Sequence, residues 1–272
     1  MSGQEAIRGA AAIAAAFARA RAQGRAALIT YLTLGHPTLD AGLELAPALA
    51  RGGADIIELG VPFSDPVADG PTIEGAVHAA LAHGMTPERC LEQAARLRAE
   101  GLETPLVLMG YYNPILHRGA AHYAGDCAAA GVDGLIVPDL PPEEAGELRA
   151  ACDAHGLALV YLAAPTTPDQ RLERLARETR GFLYVVSRLG TTGGDLHADA
   201  ALQRQLALAR GVAAAPVAVG FGVSRPAQVR ALAPLVDGVI VGSAIVQRAP
   251  EGPGAVEAFV AELRQALEDT GA

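Results

Sequence analysis

Short apolar runs rich in branched residues recur along the chain at near-regular intervals, and they limit the fold more than any other feature. They read ALITYLTL (27–34), DIIEL (55–59), PLVLMG (105–110), DGLIVP (133–138), ALVYLA (158–163), GFLYVV (181–186), APVAVG (215–220) and DGVIVG (237–242). Runs this uniformly apolar suit strands buried on both faces. Between them lie segments such as LDAGLELAPALARGG, PERCLEQAARLRAE, PEEAGELRAACDAHG and RPAQVRALAPL. These carry apolar residues at helical spacing, acids or Pro near the start, and Gly or Arg near the end. Eight strand–helix units in 272 residues predict an α/β fold, a closed parallel (β/α)8 TIM barrel. The alternative is an open doubly wound sheet, but GFGVSR (220–225) lacks the GxGxxG spacing and lies near the C-terminus.

No Ser/Gly or Pro run divides the chain, so residues 1–272 read as one barrel domain. The start, MSGQEAIRGAAAIAAAFARARAQG, could pass for a targeting segment, yet Glu5 sits near its front. Its pattern favours an extra amphipathic helix over residues 1–25, packed on the barrel. A weaker echo runs through GGADIIELG (52–60), AGVDGLIVPD (130–139) and PLVDGVIVGS (234–243), each leading through an Asp into a strand. Any βα repeat can converge on that pattern, so it supports the architecture alone.

Half of the residues are apolar, but aromatic residues are few and Trp is absent, which leaves a core of Ala, Leu and Val. The formal charge of −9 argues against nucleic acid as a partner, since a phosphate-backbone binder needs a basic surface. No apolar run of the roughly eighteen residues a membrane span requires is present. Cys90, Cys127 and Cys152 are scattered, odd in number and without metal-type spacing, and read as buried small hydrophobes in a reducing cytoplasm. The seven histidines form no HxH or HxxxH pair, so no metal site is expected. All 21 basic residues are Arg, and without a lysine amine no Schiff base to a substrate carbonyl can form.

In a barrel, chemistry gathers where strands end and the loops toward the helices begin. VGFGVS (219–224) and VGSAIV (241–246) follow the last two strands, where backbone N–H groups and a short helix N-terminus often hold phosphate. Gly220, Gly222 and Gly242 would let the chain approach an anion, and Ser243 adds a hydroxyl at a helix start. RLGTTGG (188–194) offers a third glycine loop, with Thr192-Gly193 able to close over a ligand. One glycine pair alone suits a tight turn; three in successive loops favour a phosphate-bearing ligand.

The most unusual stretch is ELGVPFSDPVADGPTI (58–73). Glu58 ends an apolar strand, where an acid faces either the helices, at high cost, or the barrel mouth. Burial among aliphatics would raise its pKa toward the range useful for moving protons, whereas a solvated strand-end acid would do nothing of the kind. Asp69 follows eleven positions on, and its place before Gly-Pro also suits a helix cap. Two carboxylates in unlike environments can serve as proton shuttle and fixed anionic anchor.

That stretch, with MGYYNPI (109–115), VPDLPPEE (137–144), SRLGTTG (187–193), GFGVS and VGSAIV, resembles the tryptophan synthase α subunit family over nearly the whole chain. The resemblance implies retro-aldol cleavage of indole-3-glycerol phosphate to indole and glyceraldehyde 3-phosphate, with no metal or organic cofactor in this chain. It implies Glu58 as acid/base and Asp69 as acceptor for the indole N–H. Tyr184 would orient Glu58. Tyr31, Ile73, Met109, Tyr111, Ile136 and Phe221 would line the indole slot, although Ile73 and Ile136 also suit plain core. Phosphate would fall on Gly193, Gly220, Gly222, Gly242 and Ser243, with Thr192 in the closing loop. Two positions depart from the family's usual pattern: His36 stands where an acid is usual, and Leu189 is bulkier than its counterpart.

The resemblance also implies a partner, a β subunit carrying pyridoxal phosphate, in an αββα heterotetramer. Asp65, in the loop VPFSDPV (61–67), and Asn113 and Pro141 would face it, although the prolines would also stiffen an active-site loop. Rival readings are a freestanding lyase with the same site, and a catalytically silent regulatory subunit. Related phosphate-binding barrels fit less well. The synthase type relies on a lysine, and the isomerase type on a cysteine near strand ends, whereas all three cysteines here fall in helical segments.

Overall fold

A computed structural model describes residues 7–187, 200–220 and 222–269. Among these, nine strand segments form one parallel sheet: β1 (Ala27–Thr33), β2 (Ile56–Gly60), β3 (Leu106–Met109), β4 (Gly134–Ile136), β5 (Ala158–Val160), β6 (Leu162–Ala163), β7 (Leu183–Val186), β8 (Val217–Gly220) and β9 (Gly238–Val241). The hydrogen-bonded order runs β5-β4-β3-β2-β1-β9-β8-β7-β6. β5 and β6 are the two halves of one expected strand, parted at Tyr161, whose N–H goes to Thr179 Oγ1 (3.1 Å) instead of to a neighbouring strand. Since β5 pairs with β4 and β6 with β7, the ladder closes into the eight-unit TIM barrel.

The helices cover the outside and bury one face each against the strands. The helix Ala10–Ala22 is shorter than the 1–25 expected from sequence; it begins after Gly9, whose φ of 68° lies outside the helical region. Its Ile13 and Phe17 pack into the barrel interior with Ala158, Phe182 and Ala218. Cβ atoms on Gly134 and Gly238 would meet these two side chains at 3.1 and 2.9 Å, so glycine at both strand starts admits the helix.

The three echoed aspartates do the same job. Asp55 accepts the Leu28 N–H (2.8 Å), Asp133 the Leu106 N–H (2.9 Å) and Asp237 the Val217 N–H (2.9 Å). Each carboxylate thus joins the start of its own strand to the start of the one beside it, which satisfies a backbone donor that the ladder leaves over. Asp133 also takes the Gly9 N–H (2.6 Å) and pairs with Arg98 (2.6 Å). Burial pushes the Asp133 carboxyl up and Arg98 down to about 10, so the pair is a weak source of net stability but costly to break. Asp133→Ala, which strands a buried guanidinium, is therefore expected to lower the unfolding free energy by ~3–5 kcal/mol in urea melts. A loss below ~1 kcal/mol would show that Arg98 is held adequately by the carbonyls of Gly131, Leu102 and Thr104.

Candidate active site

The inward-facing side chains alternate along the strands, and the register Tyr31↔Glu58 and Glu58↔Val107 puts Glu58 inside the barrel among Ile29, Ile56 and Met109. Only 1 % of Glu58 is exposed and its Oε1 has no hydrogen-bond partner among the described residues. Desolvation pushes its pKa up to about 8, so the carboxyl is mostly protonated at neutral pH. The solvated strand-end alternative is excluded.

Above Glu58 lies a pocket that opens to solvent at its mouth. Tyr31, Glu58, Asp69, Ile73, Met109, Tyr184, Gly222, Gly242 and Ser243 line it, together with Gly70, Val223 and Ile240. The last three were not anticipated from sequence. Ile240 was within reach of sequence reasoning: in the expected run 237–242 it stands two residues before Gly242, on the same face.

Asp69 is not a helix cap. The helix Pro71–Ala82 has Gly70 at its N-cap and no side-chain cap. Instead Asp69 Oδ2 accepts the Tyr111 hydroxyl (3.2 Å), which itself accepts the Ala68 N–H (3.1 Å). Partial burial raises the Asp69 pKa, and the Tyr111 hydrogen bond opposes the rise. Tyr111 also stacks on Phe63, with ring centroids 5.3 Å apart, so one side chain ties the 61–67 loop to the second acid.

Two glycines make room for tyrosines. A Cβ on Gly60 would lie 2.1 Å from the Tyr31 hydroxyl, and one on Gly220 would lie 2.5 Å from that of Tyr184. Gly220 is thus explained by Tyr184, and it does not line the pocket. Tyr184 shares the interior with Glu58, whose charge would push the phenol's pKa further up, but no hydrogen bond joins the two among the described residues. Tyr31 bonds to Thr33 (3.2 Å). Ile136 is fully buried in the barrel interior and forms no part of the pocket wall. Thr192, Gly193 and Phe221, like Leu189, lie outside the described residues.

The opposite wall suits an anion. Gly222 has φ 78°, a backbone conformation few other residues adopt. Gly242 is the N-cap of the helix Ser243–Arg248; its carbonyl takes the Ile245 and Val246 N–H groups (2.8 and 3.1 Å), which leaves those of Ser243 and Ala244 without an intrahelical acceptor. Among the described residues the lining contains no basic side chain, so what they offer on this wall is backbone donors and the Ser243 hydroxyl.

A family model described as tryptophan synthase alpha chain matches residues 17–270. The chain belongs to the tryptophan synthase alpha chain family. The alpha chain of Roseiflexus sp. (strain RS-1) is 50 % identical over 257 residues, covering 93 % of this chain and 98 % of that one. The alpha chain of Geobacter sulfurreducens is 47 % identical over 260 residues, covering 94 % and 98 %. A crystal structure of tryptophan synthase from M. tuberculosis superposes with a TM-score of 0.86 at 39 % identity, covering 94 % of this chain and 98 % of its counterpart. The tryptophan synthase alpha subunit of Legionella pneumophila str. Paris gives 0.86 at 34 % identity, covering 95 % and 98 %.

On the rim beside the acids, Asp65 and Asn113 are exposed and Pro141 is half-buried. Near them in sequence, Val67 and Leu116 are 80 % and 57 % exposed, unusually open for large apolar side chains. Asp139 ties two of these loops together by accepting the Tyr112 N–H at the start of the helix Tyr112–Arg118 (3.0 Å). Cys90, Cys127 and Cys152 are free and buried in helices, and no described helix is long and apolar enough to cross a membrane.

Proposed function

We propose that this chain is the α subunit of tryptophan synthase and cleaves indole-3-glycerol phosphate to indole and glyceraldehyde 3-phosphate, without a cofactor of its own. The observation that carries the reading is a buried, mostly protonated Glu58 facing a pocket with a second acid on one wall and an anion-suited wall opposite. Indole would lie against Ile73 and Met109, with Tyr31 and Tyr184 beneath and Ile136 as their support. Its N–H would donate to Asp69, and the phosphate would meet Gly222, Gly242 and Ser243.

Protonated Glu58 would give its proton to indole C3, leaving a cationic indolenine whose charge Asp69 offsets. The bond from C3 to the glycerol carbon then breaks and its electron pair restores the aromatic ring. The hydroxyl on that carbon becomes the aldehyde as its proton passes to the Glu58 carboxylate. One acid gives and regains a proton, and the protonated ring is the electron sink that a lysine or metal would otherwise supply.

The exposed Val67 and Leu116 beside Asp65, Asn113 and Pro141 favour a subunit over a freestanding lyase, since docking would cover them. The partner is a pyridoxal-phosphate β subunit in an αββα heterotetramer, in the cytoplasm. Docking on the 61–67 loop would act on Asp69 through Phe63 and Tyr111. Incubating the purified chain with indole-3-glycerol phosphate, alone and with a β subunit, is expected to release indole in both cases and faster in the second. No indole under either condition would overturn the reading. Equal rates would remove the coupling.

A further inference from the structure

We infer that Gln228 is a positioning residue for the phosphate wall: it turns the Gly222 carbonyl away from the bound anion. The inference rests on the function proposed above. Gln228 stands in the first turn of the helix Pro226–Leu232 and is 5 % exposed. Its Oε1 accepts the N–H of Ser224 (2.6 Å), the N–H of Arg225 (2.8 Å) and the Ser224 hydroxyl (3.3 Å), while its Nε2 donates to the Gly222 carbonyl (3.3 Å). The acceptor oxygen and one of the two N–H donors of this amide side chain are therefore spent on the loop 222–225.

This matters because of what the loop presents. Gly222 and Val223 line the pocket, and Gly222 at φ 78° has access to more backbone states than the other residues of the loop 222–225. A glycine peptide free to rotate can offer its carbonyl oxygen to the pocket as readily as its N–H. A carbonyl repels phosphate, whereas an N–H binds it. Holding the Gly222 oxygen on Gln228 removes the repulsive arrangement. Because the peptide is planar and trans, it also turns the Val223 N–H to the opposite side. No described lining residue carries a basic side chain, so among these residues the direction of the peptide dipoles sets what the wall contributes to anion affinity.

The test compares the wild-type chain with Gln228→Met, which fills the same space without the amide. Kd is measured for two probes, glycerol 3-phosphate and indole, and kcat and KM for indole-3-glycerol phosphate. The expected result is glycerol 3-phosphate binding weakened about tenfold, with indole binding within twofold of wild type and KM raised more than kcat is lowered. A residue that only stabilises the fold would leave both probes unchanged or weaken both. Unchanged glycerol 3-phosphate affinity in a folded variant, or an equal loss for indole, overturns the inference. If Gln228→Met does not fold, Gln228→Glu is read at high salt, where its added charge is screened. It keeps the oxygen that holds Ser224 and Arg225 and loses the donor to Gly222, so the same outcomes apply. Wild-type protein that binds no glycerol 3-phosphate would instead overturn the functional reading, and this inference with it.

Discussion

Replacing Glu58 with Gln is expected to abolish cleavage and, above neutral pH, to make the protein more stable. Both effects come from the same burial. Gln can neither give a proton to indole C3 nor take one from the glycerol hydroxyl, so both proton transfers lose their agent. A fall of at least ~1000-fold in kcat, about 4 kcal/mol of barrier, is expected. The stability effect follows from Glu58 holding its proton up to about pH 8 in the folded protein, against an ordinary value of 4.5. Its contribution to stability is full below the unfolded value and is lost as pH rises through the folded one. Across that window the unfolded chain ionises while the native chain cannot, and the accumulated penalty reaches ~3–5 kcal/mol. Gln carries no such penalty. Urea melts of the two proteins should therefore separate progressively between pH 5 and pH 9, with the variant gaining. A constant gap would show that Glu58 titrates normally, and kcat within tenfold of wild type would show that another group moves the protons.

Asp69→Asn is expected to slow cleavage by about 2–4 kcal/mol, or ~30- to 1000-fold, with a smaller change in KM. The asymmetry arises because positive charge builds on the indole nitrogen only as C3 is protonated, so an ionised acceptor matters more in the transition state than in the bound substrate. Asn removes that charge. If its oxygen keeps the Tyr111 hydroxyl, its NH2 turns toward the indole N–H, donor against donor. Folding should be little affected, because Asp69 caps no helix and shares its carboxylate only with Tyr111 among the described residues. Together the acids set the pH profile of kcat/KM. An acid limb appears as Asp69 protonates, above the usual Asp range, and an alkaline limb near pH 8 as Glu58 loses its proton. Steady-state kinetics of the variant would contradict this role if kcat stayed within threefold of wild type.

The strands were legible because burial on both faces leaves little choice of residue, and each expected run coincides with a strand. The split at Tyr161 was not, because it depends on Thr179 reaching across to take one N–H. Glu58 could be assigned to the interior because an acid on an apolar strand has few other places to go. Asp69 was harder. Asp before Gly-Pro reads equally as a cap, and the hydroxyl that claims it comes from Tyr111, 42 positions along the chain. Gly220 belonged to a glycine-rich loop and so resembled an anion contact, but its lack of a Cβ serves Tyr184. The echoed aspartates looked like a by-product of repetition, and their shared bond to the neighbouring strand appears only once register is known. Gln228 could have been noticed: Pro at the first helical position with Gln two residues later is half of a capping box.

The claim on which the rest depends is that Glu58 is a neutral acid at working pH. Infrared difference spectra of wild-type protein against Glu58→Gln, recorded from pH 5 to pH 10, read that carboxyl directly. The expected result is a protonated-carboxyl C=O band that persists through neutrality and disappears around pH 8, giving way to the carboxylate bands. A band already gone by pH 5 would mean an ionised Glu58 at working pH, and a different donor would have to protonate indole.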